Sequence, residues 1–154
     1  MRKILFISVV IALFGMSACH SDRTTKTIMT RDFPTSEWER FDYVEDTITV
    51  TEPVSYDLEL EASFVDTYAF DNFKFAFSVF DEARHPIRSK EYEFKLKDRD
   101  GKWKSELVDG CYHFRFPINS ELSLNEPGPY IFQLENKMYK TPLVGIKNIS
   151  IISK

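Results

Sequence analysis

Residues 72–80 read Asn-Phe-Lys-Phe-Ala-Phe-Ser-Val-Phe, with a large apolar residue at every second position from Phe73 onward. Lys74, Ala76 and Ser78 fall between them. Successive side chains of a β-strand point to opposite faces of its sheet, whereas a helix brings together residues three or four positions apart. The stretch therefore predicts a strand that buries one aromatic face in a protein core.

The same alternation recurs along the chain, in segments 56–63, 91–97, 111–116 and 130–135. Shorter strands are predicted at 46–51, at 146–153 and around Trp103, and no segment after residue 36 shows helical spacing. Turn-forming residues separate the segments, at Asp100-Gly101, Asp109-Gly110 and Glu126-Pro127-Gly128. We predict an all-β chain, a single antiparallel β-sandwich of about eight strands, for which immunoglobulin-like and jelly-roll-like topologies both fit.

The first residues have the order of a secretory signal, because Arg2 and Lys3 precede an apolar run from 4 to 14. The run is too short to span a bilayer comfortably. Met16-Ser17-Ala18-Cys19 then resembles a bacterial lipobox, in which the cysteine is acylated and becomes the first residue of the mature chain. We predict a lipoprotein signal peptide at 1–18, a lipidated polar tether at 19–36 and the β-sandwich domain at 37–154. The alternative is an ordinary signal peptide with a chance cysteine.

Charge and cysteine content exclude some classes of protein. The formal charge is −4, and without the two cations of the signal peptide it is −6. A nucleic-acid-binding surface needs clustered Lys and Arg, so no nucleic-acid partner is expected. Once Cys19 is lipidated, Cys111 is the only thiol left, so no internal disulfide can form.

The chain offers few residues with catalytic or metal-binding potential. Cys111 and His113 share the outer face of one predicted strand, where they could begin a metal site or a nucleophile and base pair. No second His or Cys follows at a ligand spacing. We therefore predict two exposed strand residues, no catalytic residue, no metal and no cofactor.

Two acidic segments have an alternative reading as cation sites. One is a row of carboxylates on the outer face of a predicted strand, Asp57, Glu59 and Glu61. We expect this row to be solvated and to lie opposite Lys95 and Lys97 on a neighbouring strand. The other, Asp98-Arg99-Asp100-Gly101, resembles a fragment of a calcium loop but lacks the bidentate Glu in register. It is predicted to be a turn.

Trp38 and Trp103 are the candidate binding surface. An exposed aromatic side chain on a β-sandwich can stack on a sugar or on a partner protein. In a chain with this many aromatic residues, both could instead belong to the core.

Several segments in order resemble the GldH gliding-motility lipoproteins: the lipobox, Trp38, Tyr-Glu-Phe-Lys-Leu-Lys-Asp-Arg-Asp-Gly-Lys-Trp (92–103), Glu-Pro-Gly-Pro-Tyr-Ile-Phe-Gln-Leu-Glu-Asn-Lys-Met (126–138) and Pro-Leu-Val-Gly-Ile (142–146). The resemblance covers nearly the whole mature chain. Lys104-Ser105-Glu106 departs from it, since relatives are expected to have a Gly-containing turn there.

The resemblance implies a non-enzymatic accessory protein of the bacterial cell envelope, needed for gliding and linked to type IX secretion. It implies a membrane partner through acyl chains such as palmitate on Cys19, together with other envelope proteins of that machinery. Sorting to the inner or the outer membrane depends on the residues after the cysteine, and we expect the outer membrane, with the domain facing the periplasm. A small-molecule ligand is not expected. The alternative is a glycan-binding envelope lipoprotein, which would need two or three coplanar exposed aromatic rings.

Overall fold

A computed structural model describes residues 25–154, and strands dominate this part of the chain. The strands are β1 (Lys26–Asp32), β2 (Glu37–Trp38), β3 (Val44–Val50), β4 (Val54–Phe64), β5 (Asn72–Phe80), β6 (Pro86–Lys95), β7 (Leu107–Val108), β8 (Cys111–Leu124), β9 (Gly128–Asn136), β10 (Leu143–Val144) and β11 (Ile146–Ser153). No helix occurs between residues 25 and 154. The all-β prediction is confirmed.

The strands form two main antiparallel sheets, in the orders β1-β11-β4-β8-β7 and β3-β9-β5-β6. The strands β2 and β10 make a separate short pair. When only the strands of seven or more residues are numbered along the chain, the two sheets read 1-8-3-6 and 2-7-4-5. This is the double Greek key of a jelly roll, so the strand order decides between the two predicted topologies.

The core lies between the two sheets and is largely aromatic. On β5, Phe73, Phe75 and Phe77 are fully buried, as the alternation predicted. Ala76 and Ser78 on the opposite face are also buried, which the pattern did not predict. They are short side chains on a central strand, and the side chains of the strands on both sides shield them from water.

The tether prediction is wrong over its second half. Residues 26–32 form β1, which pairs with β11 along its whole length. Met29 enters the core from this strand. The domain therefore begins at least eleven residues before the predicted boundary at residue 37. The alternation in β1 is short and polar, and only its pairing with β11 gives it a buried face.

The predicted strand around Trp103 is reduced to a single bridge between Lys97 and Trp103. The turn before it forms as predicted. The Asp98 side chain accepts hydrogen bonds from the backbone N–H groups of Asp100 and Lys102. Its carboxylate is thus used to fix the turn.

The sandwich has two ends. At the N-terminal end lie Lys26, Lys154 and the loops 51–53, 81–85 and 125–127. At the opposite end lie the loops 39–43, 65–71, 96–106 and 137–142.

Candidate functional site

His113 lies on the exposed face of β8 and contacts its neighbour on β4. Its Nδ1 is 2.9 Å from Ser63 Oγ, and its Nε2 is 3.3 Å from the carbonyl oxygen of Val108. Cys111 is half-buried on the same face. No group of three or more metal-ligating side chains occurs among residues 25–154. The hydrogen bonds of His113 therefore connect β4, β7 and β8.

The acidic row on β4 has different partners from those predicted. Glu61 pairs with Arg115 on the adjacent strand β8, and Glu59 pairs with Lys154. Of the proposed partners, Lys95 is the last residue of β6 in the other sheet, and Lys97 follows it. The prediction was wrong because the alternation identifies a face but does not determine which strand lies beside it.

Trp38 is fully buried, so its assignment to a binding surface is wrong. Its ring packs on Phe33 and Phe73, and its Nε1 donates a hydrogen bond of 2.6 Å to the carbonyl oxygen of Asp42. Trp38 holds the short strand β2 against the core.

Trp103 is half-buried and packs against the edge of the core. Its ring stacks on Tyr112 with 4.1 Å between centroids, and the Lys97 ammonium lies 4.7 Å from its centroid. The parallel rings of Trp103 and Tyr112 thus stack on each other instead of lying side by side as a platform for a sugar. These two residues give no support to the glycan-binding alternative.

Exposed aromatic side chains occur instead on two neighbouring loops at the opposite end of the sandwich. Phe41 is 69% exposed and Tyr139 is 80% exposed. Tyr43, two residues after Phe41, and Val144, on the short strand β10 that follows the second loop, are exposed as well. We call Phe41, Tyr43, Tyr139 and Val144 the aromatic end surface. Exposure of several large apolar groups on connected loops marks an interaction surface.

Hydrogen bonds of Arg40 connect the two loops. Its backbone N–H donates to Thr141 Oγ1 at 2.8 Å, and its guanidinium donates to the carbonyl oxygen of Met138 at 2.8 Å. The pairing of Trp38 with Leu143 connects the same segments. These contacts therefore hold the two loops of the aromatic end surface in a fixed position relative to each other.

Phe41 also has an uncommon backbone conformation, with φ of 66°. The left-handed region is disfavoured for a bulky non-glycine residue, and such strain persists where surrounding contacts impose it. Sequence analysis missed these residues because they lie in loops with no periodicity. Arg40 and Phe41 precede the first predicted strand, at 46–51, and no pattern marked them.

The fold and these surfaces define a jelly-roll sandwich whose described residues contain no metal-ligating cluster and whose exposed large apolar residues, apart from Ile87, lie at one end. The model of the GldH lipoprotein family matches residues 27–152, and the chain belongs to this family. The match begins one residue after the start of β1, in agreement with the corrected domain boundary. A comparison with curated proteins gave no match.

Family membership identifies a gliding-motility-related lipoprotein, lipid-anchored in the cell envelope, of a family not known for enzymes. The predicted attachment site Cys19 and the predicted signal peptide lie outside the described residues. Within residues 25–154, no helix has the length and apolar character needed to cross a bilayer.

Proposed function

We propose that this protein is an accessory component of the gliding-motility and type IX secretion apparatus that binds another envelope protein through the aromatic end surface. The observation that carries the proposal is the exposure of Phe41 and Tyr139 on two loops braced by Arg40. Aromatic residues on a pre-organised support are typical of the residues that dominate protein interfaces.

The proposed anchor orients this surface. Six residues lie between Cys19 and Lys26, and the seven steps from one to the other can span at most about 25 Å. β1 then runs from Lys26 toward the opposite end and reaches Asp32 after about 20 Å. An acylated Cys19 would hold the N-terminal end next to the membrane, and the aromatic end surface would face away from it. We place the protein on the outer membrane, with this surface in the periplasm.

Gene deletion with complementation tests the proposal. Cargo proteins of the type IX pathway are quantified by proteomics in the medium and in the periplasm, and colony spreading is scored in parallel. Wild type is expected to restore export. Cys19→Ala and the double variant Phe41→Ser with Tyr139→Ser are expected to leave cargo in the periplasm.

Ile87→Ser is the matched control, because Ile87 is an exposed apolar residue at the N-terminal end. It is expected to complement fully. If the double variant complements as well as Ile87→Ser at equal protein level, the aromatic end surface does not carry the function. If deletion leaves cargo unchanged, the role in secretion is wrong, and sugar-array binding becomes the next experiment.

A further inference from the structure

A cleft opens between the two sheets where the edge strand β6 faces β8. Its walls are Arg88, Lys90 and Tyr92 from β6 and Pro117, Ile118 and Asn119 from β8, with Asp57 beside them. The two sheets meet at its floor, where the Tyr92 hydroxyl donates a hydrogen bond to the carbonyl oxygen of Ile118. Tyr92 is buried, so the cleft is closed on its inner side by the core.

Two cations enter this cleft from β6. Arg88 and Lys90 alternate in phase with Tyr92, whose ring stacks on Phe75 in the core. They therefore project from the face of β6 that is turned toward the other sheet. The Lys90 ammonium lies 5.0 Å from the centroid of Tyr92. Among the described residues, no carboxylate lies within 4.0 Å of either cation.

The opposite wall contributes an unpaired donor. Asn119 is only 7% exposed, and its Nδ2 has no hydrogen-bond partner within the described part of the chain. The register of β4 and β8 shifts here, where Asn119 faces Leu58 and Pro117 faces Glu59. The shift sets the Asn119 side chain in the cleft wall. A buried amide without a partner costs free energy, so its presence calls for a ligand or another reason.

We propose that this cleft binds a phosphate group, either free or on the headgroup of a phospholipid. Arg88 and Lys90 supply positive charge. The Asn119 Nδ2 is closed to solvent in this conformation, and a rotation of the side chain turns the amide into the cleft, where it supplies a neutral donor to a further phosphate oxygen. The Asp57 carboxylate beside the cleft repels an anion and lowers the affinity of the cleft for phosphate. Inward-facing charges on an edge strand also prevent strand pairing, but that role needs no amide donor at Asn119.

The position of the cleft makes a lipid headgroup accessible. Lys26, Ser153, Leu58 and Asn119 are successive partners across the sheet. Asn119 is thus about 14 Å from the start of the domain, three strand spacings away. This part of the proposal rests on the proposed acylation of Cys19, which is seven residues before Lys26. The binding of free phosphate does not depend on it.

Calorimetric titration of the full chain, purified in detergent, tests the proposal with two probes. One probe is inorganic phosphate, and the other is dihexanoyl phosphatidylglycerol below its critical micelle concentration. Saturable binding of either is expected. Tighter binding of the lipid assigns the headgroup as the source, and binding of phosphate alone assigns the free anion.

Four variants decide whether the cleft is responsible. Arg88→Gln with Lys90→Gln is expected to weaken binding about tenfold or more. Arg99→Gln with Lys102→Gln removes the same charge at the opposite end and is expected to bind like wild type. Asn119→Leu is expected to lose affinity without a lower melting temperature, and Asp57→Asn is expected to bind phosphate more tightly.

The proposal is overturned if wild type binds neither probe, if both double variants weaken binding equally, or if Asn119→Leu binds like wild type. The phosphate-binding proposal and the proposed function can fail independently of each other. Titration of Cys19→Ala with inorganic phosphate involves neither the anchor nor the aromatic end surface.

Discussion

The Lys154 ammonium lies 2.5 Å from Oε1 of Glu59, and it neutralises a carboxylate that is only 7% exposed. The other oxygen, Oε2, has no hydrogen-bond partner among the described residues and lies 3.7 Å from the Arg115 guanidinium. A buried carboxylate is costly unless it is paired. The contact joins the end of β11 to the outer face of β4.

Replacing Lys154 by Met is therefore expected to destabilise the domain by about 1–2 kcal/mol, because it leaves Glu59 buried with little compensation. Chemical denaturation measures the change. The double variant Glu59→Leu with Lys154→Met removes both charges and is expected to recover most of the loss. Equal stability of Lys154→Met and wild type would show that water solvates Glu59.

Gly145 cannot carry a side chain in this fold. Its φ is 97°, and a Cβ built on it would lie 2.7 Å from the backbone of Tyr68. Gly145→Ala is expected to cost about 3 kcal/mol or more, since backbone strain and a backbone clash add together. Gly110→Ala is the matched control, because φ is 78° there but no atom lies within 4 Å. It is expected to cost about 1 kcal/mol. Similar melting temperatures for the two variants would contradict the close approach at Gly145.

Trp38→Phe tests the corrected assignment of this residue. The substitution leaves a cavity in the core and removes the donor to the Asp42 carbonyl, so an expected loss is about 2–4 kcal/mol in denaturation. Phe41→Ser, three positions further, removes an exposed ring and is expected to change stability by about 0.5 kcal/mol or less. The reverse order of these two effects would indicate that Trp38 is at the surface.

A pH dependence is expected from the contact of Glu45 with Arg84. The guanidinium donates to both carboxylate oxygens at 2.9 Å, and this hydrogen bonding lowers the pKa of Glu45 below its usual 4.5. A carboxylate with a lowered folded-state pKa stabilises the fold above its ordinary pKa, and that contribution is lost as the pH falls through the folded value.

Glu45→Gln therefore lowers the melting temperature at about pH 7, and this effect shrinks as the pH falls through the lowered folded-state pKa of Glu45, below which Glu45 is protonated in both states. Melting curves across this range measure the difference. Asp46→Asn is the control, since Asp46 is the next residue on the same edge strand and makes no ion pair among the described residues. A constant difference between wild type and Glu45→Gln at all pH values would exclude the contribution from charge.

Much of the candidate functional site could not be predicted from the sequence, and particular residues show why. The alternation on β8 placed Tyr112 inward and His113 outward correctly, because it depends only on local backbone geometry. The aromatic end surface depends on which loops come together, and Arg40 reaches Met138 across almost a hundred residues of sequence. No local pattern contains that contact.

The sequence by itself determined seven of the eight longer strands, most of their buried faces, the turn at Asp98 and the family resemblance, because periodicity and turn chemistry act over a few neighbouring residues. The tertiary structure decided the jelly-roll order, the entry of residues 26–32 into the sheet and the burial of Trp38. It also decided the pairing of Glu59 with Lys154 and the meeting of Arg88 with Asn119. These depend on the strands that become neighbours, since each long-range pairing is fixed by the packing of the whole core.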